Sequence, residues 1–173
     1  FQSGYTLAFN DPRKFGRVWY LPSLEDLFEK LGPDPFDPSL DPSNFHQMLQ
    51  RFDRQIKPLL LDQSFLAGVG NIYSDEALFA SGIHPKRSSR TLSEQDAARL
   101  LQKIRAVLNE GLANNGSSID WVYRGGEFQN YFRVFMRKGQ PCPVCGTAIE
   151  KISLGQRGTH FCPHCQALEE KGS

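Results

Sequence analysis

Four cysteines carry the clearest chemistry in this sequence of 173 residues. They stand as two Cys-x2-Cys pairs, Cys142 with Cys145 and Cys162 with Cys165, with sixteen residues between the pairs. A tight turn within each pair brings two thiolates to the same side. Two such knuckles complete a tetrahedral shell of four sulfurs, which suits one Zn(II) ion per chain. The competing chemistry is a pair of disulfides in a secreted domain. No signal peptide is visible and the remaining residues supply a core, so zinc is the expectation. His160 and His164 stand nearby, but four thiolates already fill the shell.

The residues between the knuckles must support the metal. Thr147 to Ser153 and Thr159 to Phe161 read as the arms of a hairpin, turning through Leu154 to Gly158. Glycines flank Arg157 and place it at an exposed tip above a clamped base. Zinc ribbons bind proteins as well as nucleic acids, so the ribbon alone leaves the partner of Arg157 open.

A second candidate site is Gly68-Val-Gly70-Asn71, leading into a helix that carries Ile72, Ala77 and Leu78. Glycine permits close backbone approach, and the start of a helix presents unpaired N–H groups, a seat for phosphate. A plain glycine turn with Asn71 as cap and Asp75 and Glu76 on the dipole explains the same residues, and on the motif alone it is favoured.

The net charge of +1 gives no bulk nucleic-acid signature, but the charge is unevenly spread. Residues 1–82 hold seven Lys/Arg against eleven Asp/Glu, whereas 83–138 hold ten against five; an anionic-ligand face and a solvated helix surface both fit that basic middle. No apolar run is long enough to span a membrane.

At the amino end, Tyr5, Leu7 and Phe9, then Val18 to Tyr20, read as two strands around Asp11-Pro12. Two strands make no stable sheet. With Phe1 in first place, 1–21 is expected to be the remainder of a longer β domain. A short helix is expected from Ser23, then a proline-punctuated linker from Gly32 to Pro38. Asp41-Pro42 starts a helix that runs on through Ile56 until Pro58, with Arg51, Arg54 and Lys57 as solvated charges. Ser93 and Asp96 box the start of a helix whose stripe runs from Ala97 to Leu112, and Asn115-Gly116 ends it. Residues 117–129 read as a mobile loop and Tyr131 to Phe135 as a strand.

Four motifs together resemble one family, the bacterial formamidopyrimidine-DNA glycosylases. They are Asp11-Pro-Arg-Lys-Phe-Gly16; Ile56-Lys-Pro-Leu-Leu-Leu-Asp-Gln63; Gly68-Val-Gly-Asn-Ile-Tyr73 with Glu76 to Phe79 and Gly82-Ile-His-Pro85; and the ribbon with Gly155-Gln-Arg-Gly-Thr-His-Phe-Cys162. They occur in order over nearly the whole chain, and they overturn the plain-turn reading of Gly68 to Asn71.

The resemblance implies a mainly helical chain with a small β zinc ribbon. Residues 1–21 would be the remnant of a β-sandwich, 22–40 a linker, 41–130 a helix–two-turn–helix DNA-binding domain, 131–168 a four-cysteine zinc finger and 169–173 a tail. It implies that Gly70, Asn71 and Arg157 grip phosphates beside a damaged nucleotide, with Arg157 also assisting the last elimination step. Arg13 and Phe15 would fill the gap left by a flipped-out base, arginine on the orphan cytosine and phenylalanine as wedge. Residues 117–129 fall where the family senses lesions.

The implied function is base excision repair: removal of oxidised purines from double-stranded DNA, followed by abasic-site cleavage, by a monomer in the bacterial cytoplasm. The chemistry would come from an amino-terminal proline amine, its neighbouring glutamate and a lysine of the β domain, none of which these residues contain, so the chain alone is expected to bind and not to cut. An endonuclease VIII-like enzyme shares the helical and zinc elements but not the arginine–phenylalanine motif. A non-catalytic nucleic-acid-binding module is the alternative from another class.

Overall fold

The computed structural model describes residues 1–9, 11, 16–23, 25, 29–118 and 125–168. Four helices and one hairpin do the positioning: α1 (Pro42–Gln50), α2 (Ile56–Leu60), α3 (Asn71–Ser81), α4 (Glu94–Ala113), β1 (Glu150–Leu154) and β2 (Arg157–Phe161). Short 3-10 turns cover Ser89–Thr91 and Phe128–Tyr131.

Helix α1 begins where the side chain of Asp41 accepts the amide of Asn44 at 2.8 Å, with Pro42 in the first turn. It ends at Gln50 instead of running on to Ile56. From Gln55 the chain turns to residues 85–88: the amides of Ile56 and Lys57 donate to the carbonyls of Arg87 and Pro85 at 2.9 and 3.2 Å. Pro58 therefore lies inside the first turn of α2, where its missing N–H costs nothing. Lys57, expected in solvent, is fully buried.

Helix α4 has the expected reciprocal cap: the amide of Asp96 donates to Ser93 Oγ at 3.1 Å, and the amide of Ser93 to Asp96 Oδ2 at 3.2 Å. Ala97, Leu100, Leu101, Ile104 and Val107 face the core, where α1, α2 and α3 meet α4, while Leu112 at the end of the expected stripe is exposed. Each buried leucine contributes about 1.5–3 kcal/mol. Gly111 lets α3 come close, because a Cβ there would sit 2.5 Å from the ring of Tyr73. Tyr73 in turn stacks on Phe128 at 5.3 Å, pinning the far end of the 117–129 segment.

The proline-punctuated segment is strapped to this core. Arg105 donates to the carbonyls of Pro35 and Leu40 at 2.6 and 2.7 Å. The described part of 1–21 carries no strand, although two were expected, and Tyr5, Leu7, Val18 and Trp19 lie exposed; an isolated two-stranded ribbon is marginal in water. At Ser23, Oγ accepts the amide of Glu25 at 3.1 Å, but most of the helix expected there falls outside the described residues.

The hairpin pairs Leu154 with Arg157 across Gly155 and Gln156. Both turn residues have positive φ, 55° and 62°, the mark of a type I′ turn that follows the twist of its strands. Residues 131–135 do not form the expected strand. The amides of Arg133, Val134 and Phe135 all donate to the buried carboxylate of Glu76, each at 2.9 Å. Three successive amides converging on one anion cannot alternate sides as strand amides do.

Candidate nucleic-acid interface and its metal centre

The four cysteine sulfurs all lie within 4.8 Å of one another, and among the described residues this is the one cluster with ligand spacing for a metal. Cys142 and Cys165 approach to 3.8 Å, and Cys145 and Cys162 to 3.5 Å. Tetrahedral zinc with bonds of about 2.3 Å demands sulfur separations of about 3.8 Å, whereas a disulfide demands about 2.05 Å. The donor set and the spacing fit one zinc, and all four cysteines are free thiols. Amides of Val144 and Cys165 point at Cys142 Sγ and Cys162 Sγ, each at 3.4 Å, and would spread thiolate charge into the backbone. His160 and His164 stay outside the shell, as expected.

Helix α3 carries the ribbon on a polar, buried face. Burial pushes the Glu76 carboxyl up from its ordinary value, and the three amides and Arg133 oppose that rise. Each of those amides would lose about 1–3 kcal/mol if left without its acceptor. Gln166, also buried, accepts the amide of Cys162 and donates to the carbonyl of Ile83, both at 2.9 Å, so the second knuckle is tied to the end of the helix.

At the other end of α3, Asn71 donates through Nδ2 to the carbonyl of Gly158 at 3.2 Å. This bond joins the start of the helix to the hairpin beside Arg157. Gln63 shapes the turn before it, accepting from the amide of Gly68 at 2.8 Å and donating to the carbonyl of Val69 at 3.1 Å. The result is a cleft of about 500 Å³ whose walls include Arg54, Gly70, Asn71, Gly155 and Arg157. Asn71 Oδ1 is buried with no hydrogen-bond partner. Among the described residues, the exposed guanidinium of Arg157 has no hydrogen-bond or ion-pair partner either. The first amides of α3 have no partner within the helix. The Asn71 oxygen is an acceptor; the groups free to donate are the Arg157 guanidinium and the first amides of α3, and it is these that favour an anion.

Arg54 is the wall residue that sequence reasoning missed. Its Nη1 meets Asp62 Oδ2 at 2.9 Å. Hydrogen bonding from Ser64, then from Arg54, holds the Asp62 carboxyl below the usual range. Lys57, Asp75, Glu76 and Gln166 were missed as well. The available signal was charge inside apolar runs: Lys57 between Ile56 and Leu59, and Asp75-Glu76 just before Ala77-Leu78-Phe79. Gly70, Asn71 and Arg157, picked out by motif, do come together. Arg13 and Phe15 lie outside the described residues, as does 119–124 of the expected lesion-sensing segment.

The pattern of the formamidopyrimidine-DNA glycosylase H2TH domain matches residues 31–122, more than half of the chain. The chain belongs to the formamidopyrimidine-DNA glycosylase family. The zinc finger found in FPG and IleRS matches residues 139–168, which span all four cysteines. Formamidopyrimidine-DNA glycosylase of Herpetosiphon aurantiacus is 44% identical over 172 residues, covering 95% of this chain and 63% of the relative. That of Chloroflexus aggregans is 46% identical, covering 95% and 62%. The crystal structure of the MutM (Fpg) protein of Thermus thermophilus superposes with a TM-score of 0.84 at 40% identity, covering 92% of this chain and 64% of that one. The Lactococcus lactis Fpg in complex with DNA containing an abasic site superposes at 0.77 and 38%, covering 83% and 54%. The chain spans about 63% of the length of these curated relatives. Within the family frame the expected architecture holds: a mainly helical body, a two-stranded sheet and a four-cysteine zinc site. No helix among the described residues is long and apolar enough to cross a membrane.

Proposed function

We propose that this chain is the DNA-gripping portion of a bacterial base excision repair enzyme, a glycosylase and abasic-site lyase that acts on oxidised purines in double-stranded DNA. The observation that carries the reading is the cleft in which the Asn71–Gly158 bond sets the exposed guanidinium of Arg157 beside the free amides at the start of α3. One strand of the duplex would lay successive phosphates along it. Asn71 and the amides beside Gly70 would take one, Arg157 a second, and Arg54 a third by exchanging Asp62 for a phosphate. These contacts position the duplex without reading sequence. Arg157, being exposed at the tip and cationic, would also stabilise the leaving phosphate in the final elimination. The zinc holds the tip in place and takes no part in the chemistry.

Arg13 and Phe15 would occupy the gap beside a flipped-out base, the guanidinium bonding the orphan cytosine edge. Domain limits of 1–21, 22–40, 41–130, 131–168 and 169–173, a monomeric state, a cytoplasmic location and residence on the nucleoid are part of the same proposal. The bacterial relatives named above support the setting.

Two substitutions separate the roles. Arg157→Ala is expected to weaken binding to every duplex alike and to reduce the salt slope by about 1. Arg13→Ala is expected to leave undamaged duplex binding unchanged and to relax the preference for cytosine opposite an abasic gap. Filter-binding titrations between low and moderate salt read both. An Arg157→Ala protein with unchanged slope would refute the phosphate role.

A further inference from the structure

A buried trio lies behind the cleft. Lys57 Nζ donates to Asp75 Oδ1 at 2.5 Å and to the carbonyl of Asn71 at 2.9 Å. The other oxygen of the same carboxylate, Asp75 Oδ2, accepts the backbone amide of His160 at 2.9 Å and its ring Nδ1 at 3.3 Å. Lys57 and Asp75 are fully out of solvent, and the His160 ring is closed in edge-on by Phe135 at 5.1 Å. Asp75 stands one helical turn after Asn71, and His160 three strand residues after Arg157.

A buried ion pair is a poor way to gain stability, since two apolar side chains of similar volume often serve as well or better. An apolar pair cannot bond a helix carbonyl on one side and a strand amide on the other. The Asn71–Gly158 bond by itself leaves a swivel between helix and hairpin. A second tie through Asp75 removes that rotation.

We infer that Asp75 is a positioning residue for the phosphate grip: its two carboxylate oxygens, one held through Lys57 to Asn71 and one on the His160 amide, set where Arg157 stands relative to the start of α3. The inference rests on the proposed reading of the cleft. Asp75 touches no DNA. It acts through Asn71 and Arg157, and its loss should therefore be felt as the loss of the Arg157 contact.

The test is a set of salt titrations on undamaged duplex with the zinc-loaded chain, each variant checked for zinc content and urea midpoint. Arg157→Ala should reduce the slope by about 1. Asp75→Asn, which leaves one acceptor oxygen for the three groups that meet the carboxylate, should reduce it by the same amount with zinc retained. Combining the two should reduce it no further. Lys57→Met with Asp75→Leu, which removes both buried charges but leaves the His160 amide without its acceptor, should stay folded and zinc-loaded at a lower midpoint and still show the reduced slope, separating position from buried charge. A full slope in that paired variant, or a loss of about 2 when Asp75→Asn is joined to Arg157→Ala, would overturn the inference. An unchanged slope in Arg157→Ala alone would instead overturn the reading of the cleft, and the inference with it.

Discussion

Withdrawing zinc with a strong chelator is expected to abolish DNA binding while much of the helical body survives. The ribbon has little to hold it otherwise. Its core cluster is Val134, Cys142, Ile149 and Cys162 against Phe79 of α3, and two of those four ribbon residues are the ligands themselves. A two-stranded hairpin is marginal alone. Structural zinc in small finger peptides contributes about 10–16 kcal/mol of apparent binding energy, more than such a cluster can replace. The larger cluster, with Phe45, Leu49, Leu66 and Leu100 at its centre, contains no cysteine and should persist. Losing the ribbon also strips buried Glu76 and Asp75 of their amide partners, so the helices left behind should melt at lower urea than the zinc-loaded chain. Metal analysis should find one zinc per chain, with far-ultraviolet dichroism reporting the retained helix. Full DNA affinity after chelation, or two disulfides by mass spectrometry, would contradict this.

The second large effect is an absence. A polypeptide of these 173 residues is expected to bind duplex DNA weakly and to cut none of it. With two phosphates neutralised, by Arg157 and Arg54, the logarithm of affinity should fall with the logarithm of salt at a slope of about −2. The family resemblance assigns attack on the sugar to a proline amine. Residue 1 here is phenylalanine, whose ammonium donates to the carbonyl of Tyr5 at 2.8 Å in an exposed segment. Lys57, the amine behind the cleft, is buried, and its ammonium is fixed by Asp75 and the Asn71 carbonyl. Burial lowers its pKa and Asp75 opposes that shift, but its lone pair has no path to a sugar. Borohydride treatment with duplex containing 8-oxoguanine opposite cytosine should therefore trap no adduct. A covalent product in good yield would mean that a nucleophile exists within these residues.

Much of this was legible in the residues, for reasons that differ from place to place. The zinc site was read from spacing, because two Cys-x2-Cys turns leave few alternatives. Helix α4 was read from its Ser93–Asp96 cap and its stripe, since local signals and burial agree there. The strand expected at 131–135 failed because apolar alternation cannot reveal a carboxylate 57 residues earlier in the chain that claims three successive amides. The run of α1 through Ile56 failed for a related reason. Helical spacing continues across Arg51 to Gln55, but the backbone there has a better partner in residues 85–88. Lys57 and Asp75 were hardest to read, because a lone charge in sequence looks solvated until its counter-charge is placed beside it. The cleft itself was visible only as two separate motifs. That Gly70-Asn71 and Arg157 share one wall is a fact of tertiary structure, carried by the Asn71–Gly158 and Asp75–His160 bonds.

The central claim is that the backbone of DNA seats between the start of α3 and the hairpin tip. Nitrogen-15 shift mapping of the zinc-loaded chain, titrated with a short undamaged duplex at low salt, tests it directly. The largest movements are predicted at the amides of Gly70, Asn71 and Ile72, at Asn71 Nδ2 and at Arg157 Nε, fading as salt is raised. A second cleft of about 400 Å³, lined by Gln129, Arg137 and Gln140 among others, is the internal control. Movements concentrated there, with Asn71 and Arg157 unmoved, would contradict the account.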